Sequence, residues 1–258
     1  MKVVIFAGGL GTRISEETDV RPKPMVEIGG KPILWHIMKM YSHYGYNDFI
    51  VCLGYKGYVI KEYFMNYFLH NSDITIDLAN NKMEVHGTKS DNFKVTLVDT
   101  GLTTKTAGRL QQVKSYIGNE SFMLTYGDGV SDVDIKALVN FHNTHKKIAT
   151  VTAVSMANRF GGMELNNENT VVDFKEKTKD ENKWINGGFF VLNPEVFNYL
   201  NGDMSEMMWE DKPLEELANN KELVAFKHKG FWKCMDALRD KLELEELWKI
   251  NTAEWKKW

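Results

Sequence analysis

The residues near the amino terminus have the types and the spacing needed to hold phosphate groups. An apolar run, Val3 to Phe6, leads into Gly8-Gly9-Leu10-Gly11-Thr12-Arg13, and Pro22-Lys23-Pro24 follows shortly afterwards. The backbone N–H groups of a glycine-rich turn can close on phosphate oxygens, while an arginine and a lysine stabilise negative charge. The two prolines stiffen the backbone around Lys23, so that its ammonium group can be aimed. The pattern predicts a triphosphate site with Arg13 and Lys23 as catalytic cations.

Two other glycine-rich nucleotide motifs do not fit this stretch. A dinucleotide fingerprint needs G-x-G-x-x-G, and after Gly9 and Gly11 the third position is Ile14. No window of the chain matches the G-x-x-x-x-G-K-[ST] pattern of a P-loop. An NAD(P)-dependent oxidoreductase is therefore excluded. On the glycines alone, a plain strand-to-loop turn is as good an interpretation as a phosphate site. Arg13 and the two prolines around Lys23 favour the phosphate site.

One aspartate is a candidate for holding a metal ion, and a second reads as a helix cap. Asp128 follows a buried apolar strand and stands between two glycines. Ligands of open α/β sheets bind at the carboxyl ends of the strands, and a carboxylate there suits Mg²⁺. The alternative is an aspartate that bonds its own Gly-Asp-Gly turn. Asp236 stands before the last predicted helix and reads as its N-cap, although Arg239 is not the Glu or Gln that completes a capping box.

The remaining candidate residues are ambiguous on composition alone. Glu176 and Lys177 end a predicted strand within a charged run and read as a solvated pair. Asn186-Gly187-Gly188 opens another predicted strand, where an amide beside two glycines lets a sugar ring approach the backbone, or where the glycines make a β-bulge.

Arg109, with Thr104 upstream, is the candidate for recognising the nucleobase. A guanidinium only donates hydrogen bonds, so it suits the acceptors O2 and N3 of cytosine and opposes the N3–H of uracil. The alternative is an arginine on the surface of a helix.

The elements that must position these residues read as strand and helix in alternation. Strand 2–7, helix 32–44, strand 49–53 and helix 59–69 indicate a parallel sheet with crossover helices. Alternating apolar residues around Asn80-Asn81 predict a hairpin over 74–85. The rest of the chain is predicted as strand 93–99, helix 106–116, strand 122–126, helix 133–145, strands 149–155, 161–165, 170–176 and 186–192, helix 212–219, strand 223–228 and helix 237–249. The prediction is one α/β domain, 1–258, with a Rossmann-like doubly wound mixed sheet, an inserted β-hairpin and a strand-rich C-terminal half.

Composition excludes several classes of protein. Hydrophobic residues make up 43 % of the 258 residues, enough for a large core, and a net charge of −3 argues against broad nucleic-acid binding. Two cysteines, Cys52 and Cys234, do not make a disulfide scaffold. No apolar run is long enough to span a membrane, and the first residues read as a core strand rather than a signal peptide. We expect a cytoplasmic protein with no nucleic-acid or membrane partner.

The whole chain resembles the bacterial sugar nucleotidyltransferases, and among them the cytidylyltransferase branch. The resemblance rests on MKVVIFAGGLGTR and RPKPMVEIGGKPILWHIM near the start, and on later matches at 54–57, 60–64, 98–101, 108–110, 126–130, 185–191 and 230–236. It implies transfer of a cytidylyl group from CTP to α-D-glucose 1-phosphate, giving CDP-glucose and pyrophosphate. Mg²⁺ would assist in-line attack on the α-phosphorus. The resemblance also implies a homo-oligomer whose product feeds dideoxysugar synthesis for surface polysaccharide.

The resemblance also implies roles for individual residues, carried by position. Mg²⁺ is held by Asp128 and Asp236, while residues 1–130 mainly bind the nucleotide and residues 131–258 mainly bind the sugar phosphate. The implied nucleotide site is Phe6, Ala7, Gly8, Gly9, Leu10, Gly11, Thr12, Arg13, Lys23, Thr104, Arg109 and Asp128. The implied sugar-phosphate site is Tyr126, Gly127, Glu176, Lys177, Asn186, Gly187 and Gly188.

One departure and two alternatives accompany this assignment. Thr178 stands where the family has a proline after Glu176-Lys177, which removes rigidity next to the lysine. One alternative is a nucleotidyltransferase that uses UTP, dTTP or another phosphorylated acceptor. The other is a binding or regulatory module that keeps the fold without turnover, against which Arg13, Lys23 and the two aspartates argue.

Overall fold

A computed structural model describes residues 1–87, 90–155, 162–166, 170–175 and 184–258, and for residues 13, 15, 16, 162–165 and 172–175 it describes the backbone alone. The strands are β1 (Val3–Ala7), β2 (Glu27–Ile28), β3 (Lys31–Pro32), β4 (Asp48–Leu53), β5 (Asp73–Asp77), β6 (Lys82–His86), β7 (Lys94–Asp99), β8 (Phe122–Tyr126), β9 (Gly129–Ser131), β10 (Ala149–Ser155), β11 (Gly162–Leu165), β12 (Val171–Lys175), β13 (Trp184–Leu192), β14 (Leu223–His228) and β15 (Trp232–Cys234). The α-helices are α1 (Ser15–Thr18), α2 (Ile33–His43), α3 (Gly57–His70), α4 (Thr106–Gln112), α5 (Lys114–Ile117), α6 (Ile135–His145), α7 (Lys212–Asn219) and α8 (Leu238–Lys249). Short 3₁₀ turns cover Thr12–Ile14, Lys23–Met25 and Pro194–Tyr199.

The central sheet has the mixed, doubly wound topology that the sequence predicts. Its path runs β12-β11-β13-β8-β1-β4-β7, with β10 pairing to β13 and β14 pairing to β10. Strands β8, β1, β4 and β7 are parallel, whereas β13 runs antiparallel to β8. The chain builds outward from β1 to β4 and β7, then returns to the other side of β1 with β8. This reversal creates a switch point between β1 and β8, where open α/β sheets bind ligands.

Both faces of the sheet are covered, which explains why β1 is apolar without alternation. Val3 and Ile5 lie in a core layer with residues of α2, α6 and α8, while Val4 and Phe6 lie in a second layer with residues of α4, α5 and α7. A strand that is buried on both sides needs apolar residues at every position. The continuous run therefore places β1 at the centre of the molecule.

Several predicted elements differ from the structure; the helix predicted over 133–145, for example, begins at Ile135. The helix predicted over 106–116 is interrupted at Val113, where ψ is 3°, and divides into α4 and α5. Val113 is fully buried at this interruption. The Asn186-Gly187-Gly188 triplet lies inside β13 rather than at its start. The last helix begins at Leu238.

The predicted hairpin is present as β5 and β6, which pair Ile74 with Val85 and Ile76 with Met83. Among the described residues these two strands pair only with each other. Ile74, Ile76 and Met83 are exposed, Ile76 at 55 %, and Leu78 in the turn is 88 % exposed. None of the described helices has the length and apolarity required to cross a bilayer.

Candidate functional site

A cleft of about 380 Å³ opens at the switch point, beyond the carboxyl ends of β1 and β8. Most of the residues that the sequence assigns to the site and that have described side chains line it. They are Phe6, Ala7, Gly9, Gly11, Thr12, Lys23, Tyr126, Gly127, Asp128 and Asp236. Pro24, Thr106 and Met208 also line it and were not predicted. Leu10 lies on the turn beside the cleft with 53 % of its surface exposed.

The glycine-rich turn is held by its own neighbours. Gly11 has a φ of +65°, and a Cβ there would lie 2.8 Å from Cγ2 of Thr18. The Thr18 hydroxyl donates to the carbonyl oxygens of Gly11 at 3.1 Å and of Ile14 at 3.2 Å. A glycine is therefore required at position 11 for both conformation and space. The backbone of Arg13 belongs to the 3₁₀ turn that follows, and its side chain lies outside the described part of the chain.

Lys23 lies at the centre of the site, between two carboxylates. Its Nζ is 2.5 Å from Oδ2 of Asp128 and 2.7 Å from Oδ1 of Asp236. Its backbone belongs to a 3₁₀ turn that begins after Pro22 and buries Pro24. Burial disfavours the charge, but the neighbouring acids outweigh it and raise the pKa of Lys23 above its usual value. The site therefore holds one fixed cation between two acids at neutral pH.

A two-stranded pairing that the sequence did not predict brings these acids together. Strand β9 follows Asp128 directly and pairs antiparallel with β15, matching Gly129 to Cys234. The Met235 N–H also donates to the Asp128 carbonyl at 2.9 Å. Three-residue strands are too short to give a periodic signal, so only the folded chain reveals this pairing.

The interpretation of Asp236 as an N-cap is wrong. The last helix is capped at Ala237, and the carboxylate of Asp240 accepts from the backbone N–H groups of Ala237 at 2.8 Å and Asp236 at 3.1 Å. The acid that completes the cap is therefore Asp240, one position beyond Arg239, because the helix starts one residue later than predicted. This leaves the Asp236 carboxylate directed at Lys23 in the cleft.

The donor atoms beside Lys23 suit a hard divalent cation. Asp128, Cys234 and Asp236 each bring one ligand atom within 4.8 Å of the others. Burial and the two acids raise the pKa of the Cys234 thiol well above its ordinary value, so the sulfur is neutral. Mg²⁺ prefers oxygen ligands and keeps several waters. The two carboxylates therefore fit Mg²⁺, and the thiol does not.

The structure places Arg109 behind the glycine-rich turn. Its guanidinium donates to the carbonyl of Leu53 and the hydroxyl of Thr100, both at 2.7 Å, and to the carbonyl of Gly8 at 3.0 Å. The alternative of a surface arginine is wrong, since only 4 % of Arg109 is exposed. A Cβ on Gly8 would lie 2.1 Å from Nη1, so the arginine needs that glycine. Recognition of the base by Arg109 stays a prediction.

Thr104 is half-buried in the loop before α4. Its hydroxyl oxygen lies 2.7 Å from where a Cβ of Gly101 would stand, and its methyl group lies 2.8 Å from that of Gly108. Thr104 therefore packs between the loop at Gly101 and the first turn of α4, and its role at a base site stays a prediction.

The predicted sugar side of the cleft centres on Tyr126. Its hydroxyl donates to Glu210, and Nδ2 of Asn186 donates to it at 3.3 Å. Burial, with Glu210 beside it, raises the pKa of Tyr126 well above its usual value, so the phenol keeps its proton. Oδ1 of Asn186 accepts from the Gly188 N–H at 2.8 Å, and the Gly187 carbonyl accepts from Nε1 of Trp232 at 2.7 Å.

The two glycines after Asn186 lie in a bulge of β13. Its pairing with β10 passes from Val151–Phe190 to Ala153–Asn186, so β13 contains the extra residues. Gly188 has a φ of +79°, and a Cβ there would lie 2.5 Å from Cδ2 of Tyr126. The bulge interpretation is confirmed, and it brings the backbone against the tyrosine ring.

Glu210 is a site residue that the sequence analysis missed. It accepts from Tyr126 and, at 2.8 Å, from the hydroxyl of Thr106. It lies between the 3₁₀ turn at 194–199 and α7, in a segment without any motif, so no sequence signal could identify it. Glu176 and Lys177 lie outside the described residues.

Comparisons with a family model, with known sequences and with solved structures each find proteins similar to this chain. The family model described as "Nucleotidyl transferase" matches residues 2–247. A glucose-1-phosphate cytidylyltransferase from Salmonella typhimurium is 58 % identical over 259 residues, covering 100 % of both chains. A mannose-1-phosphate guanyltransferase from Saccharomyces cerevisiae is 26 % identical over 247 residues, with 93 % of this chain and 62 % of the yeast protein covered. The structure of HddC from Yersinia pseudotuberculosis superposes with a TM-score of 0.77 at 23 % identity, covering 96 % of this chain and 99 % of the other.

Proposed function

The chain belongs to the nucleotidyl transferase family, and we propose that it joins CTP and α-D-glucose 1-phosphate to give CDP-glucose and pyrophosphate. The convergence of Lys23, Asp128 and Asp236 in one cleft at the switch point carries the chemistry of this proposal. The choice of substrates is supported by the 58 % identity to the Salmonella typhimurium enzyme over its full length.

The reaction needs charge compensation rather than a general base. A phosphate monoester has a second pKa of about 6, so the attacking oxygen of the sugar phosphate is largely ionised at neutral pH. The barrier lies in bringing this anion against the α-phosphorus of a polyanionic nucleotide. In this proposal Lys23, which holds its proton firmly, and Arg13, which follows the glycine-rich turn, stabilise the charge that spreads over the α-phosphate and the leaving pyrophosphate.

Enzymes of this family generally use a divalent metal ion, and we propose Mg²⁺ here. Asp128 and Asp236 would hold it, and when bound it would neutralise charge on the α-phosphate. Lys23 bonds to the same two carboxylates. Cation and lysine would therefore share one acidic pair.

The two substrates occupy the two sides of the cleft in this proposal. The nucleotide lies on the glycine-rich turn, with its base towards Thr104 and Arg109. The sugar phosphate lies towards Tyr126 and Asn186, with Glu176 and Lys177 as further ligands. The proposed division at residue 130 is not strict, because Tyr126 belongs to the proposed sugar side and Asp236 reaches the nucleotide half through the pairing of β15 with β9.

The exposed hairpin supports assembly with further copies of the same chain. An isolated two-stranded hairpin is marginally stable in water. Here one face carries Ile74, Ile76 and Leu78, and Met65 and Phe68 on the preceding α3 are also exposed. A second copy would cover this apolar surface, so we propose a homo-oligomer. The cytoplasm, where CTP and sugar phosphates occur, is the compartment that the proposed reaction implies.

The decisive experiment measures pyrophosphate release with CTP, UTP, dTTP, GTP and ATP, each paired with several sugar 1-phosphates. We expect CTP with glucose 1-phosphate to give the highest kcat/KM, and mass spectrometry to identify CDP-glucose. A higher value with another pair would assign a different nucleotide or acceptor. Absence of pyrophosphate with every pair would leave a binding module. An Asp128→Asn/Asp236→Asn variant controls for contaminating activity.

A further inference from the structure

One face of the last helix contacts the N-terminal segment that carries the phosphate-binding residues. Lys241, Glu245 and Trp248 are spaced four and three positions apart, so they lie on the same face of α8. Lys241 forms an ion pair with Glu17, and the side chains of the two residues are 22 % and 23 % exposed. The contact joins residues 224 positions apart in the chain.

The same face meets the turn between β2 and β3. Both carboxylate oxygens of Glu245 accept from the Gly29 N–H, at 3.2 and 3.1 Å. Gly29 has a φ of +59°, and a Cβ there would lie 1.9 Å from Nε1 of Trp248. The fit leaves no space for a side chain. This turn is therefore fixed against α8 by packing as well as by hydrogen bonds.

Glu17 belongs to a segment that is not stable by itself. It lies in α1, a four-residue helix that directly follows the 3₁₀ turn containing Arg13. A single helical turn does not form in isolation, because nucleation costs more than its hydrogen bonds return. Thr18 ties α1 back to Gly11 of the glycine-rich turn. A displacement of Glu17 would therefore also move the backbone of the glycine-rich turn.

We propose that Glu17 and Lys241 are positioning residues for nucleotidyl transfer, an inference that rests on the proposed function. Their ion pair holds α1 against α8 and so sets the position of the glycine-rich turn and Arg13. Asp236 lies two residues before the start of α8, and Lys23 lies between α1 and the Gly29 turn in the chain. In this proposal α8 therefore fixes the position of Asp236 and of the segment that carries Lys23 relative to one rigid helix. Neither Glu17 nor Lys241 lines the cleft.

The first test uses Lys241→Met, which keeps the aliphatic stem and removes the charge. We expect the KM for CTP to rise about three- to ten-fold and kcat to fall, with the KM for glucose 1-phosphate unchanged. Hydrogen exchange should rise in peptides covering residues 8–20 and stay constant in those covering α3. Equal effects on both KM values, or unchanged exchange at 8–20, would overturn the proposal.

A charge swap gives a second test, in which the double variant shows whether a loss in the single variants comes from the ion pair or from poor folding. Glu17→Lys and Lys241→Glu each place like charges together, whereas the double variant restores an opposite pair. We expect the double variant to recover most of the exchange protection at 8–20 and most of the affinity for CTP. A double variant that is no better than the sum of its parts would refute the pairing.

Glu243→Gln is the matched control on the same helix. Glu243 pairs with Lys233 at 2.5 Å, and Lys233 keeps Asp240 as a partner at 3.3 Å. We expect wild-type kinetics and exchange from this variant. The exchange experiment is made without substrates, so it decides the role of the ion pair even if the wild-type protein makes no CDP-glucose. A wild-type protein that makes no CDP-glucose would refute the proposed function and not the role of the ion pair.

Discussion

Nζ of Lys23 and Oδ1 of Asp236 lie 2.7 Å apart, although the two residues are separated by 213 positions in the chain. The short 3₁₀ turn after Pro22 supplies the lysine, and the β9–β15 pairing supplies the aspartate. The contact joins the two ends of the chain at the switch point of the sheet. The charges of Lys23, Asp128 and Asp236 are therefore close enough in the cleft to influence one another.

Replacing Lys23 by Ala should lower kcat about 10²- to 10³-fold, with a smaller change in the KM for CTP. The reason is that a fixed cation stabilises the charge that develops in the transition state more than the charge of the bound substrates. Steady-state kinetics with CTP varied at saturating glucose 1-phosphate measure both constants. An unchanged kcat would show that Lys23 contributes only to ground-state binding.

The proposed recognition of the base by Arg109 predicts that Arg109→Ala relaxes the preference for CTP over UTP about ten- to one hundred-fold, because the buried donor that would oppose the N3–H of uracil is lost. The fold should survive, since the carbonyl of Leu53 still accepts from Thr100 N at 3.0 Å and that of Gly8 from Tyr55 N at 3.2 Å. Competition between the two nucleotides gives the ratio of kcat/KM directly. An equal loss with CTP and UTP would limit Arg109 to supporting the glycine-rich turn.

Replacing Gly188 by Ala should destabilise the protein by about 1–3 kcal/mol and raise the KM for the sugar phosphate. The added Cβ meets the ring of Tyr126, and the φ of +79° is unfavourable for alanine. Gly202→Ala is the control, because its φ is +71° but no atom lies within 4 Å of the added Cβ. Urea unfolding and kinetics of both variants separate backbone strain from the displaced tyrosine. Wild-type KM values in Gly188→Ala would contradict this account.

The stability of the protein should fall as the pH drops below about 6.5, partly because of His36. Burial lowers its pKa from 6.5 to about 4, against the opposing effect of the hydrogen bond to the Ile28 carbonyl. The unfolded state therefore binds the extra proton in this range, and about 2 kcal/mol should be lost from this residue between pH 7 and 5.

Urea unfolding of the wild type and of His36→Gln at pH 7, 6 and 5 tests this contribution. Glutamine retains a donor for the Ile28 carbonyl but does not titrate. The variant should be less stable at pH 7 and show a shallower dependence on pH. Parallel curves would mean that other groups account for the acid sensitivity.

Replacing Ile76 by Asp should convert the assembled protein to smaller species, because a charge on the apolar face of the hairpin must be desolvated in the interface. Light scattering after gel filtration measures the mass. Thr75→Asp is the control, since it places the same charge on the opposite face of β5. A monomeric wild type would contradict the proposed assembly.

Many of the residues that line the cleft were recognisable from local sequence. The glycine-rich turn, the Pro-Lys-Pro segment and Asp128 are each defined by neighbours within a few positions. The alternation of apolar strands and helices likewise indicated the doubly wound sheet. Such features depend on backbone conformation and on burial on both faces of a strand, which short stretches of sequence encode.

The tertiary structure decided what depends on contacts between distant parts of the chain. The partner of Asp236, the burial of Arg109, the role of Glu210 and the contact of Lys241 with Glu17 all join residues more than 50 positions apart. Periodicity describes which face of an element is apolar, but not which element it meets. That choice is made by strand order and by the packing of the whole core, which no local pattern records.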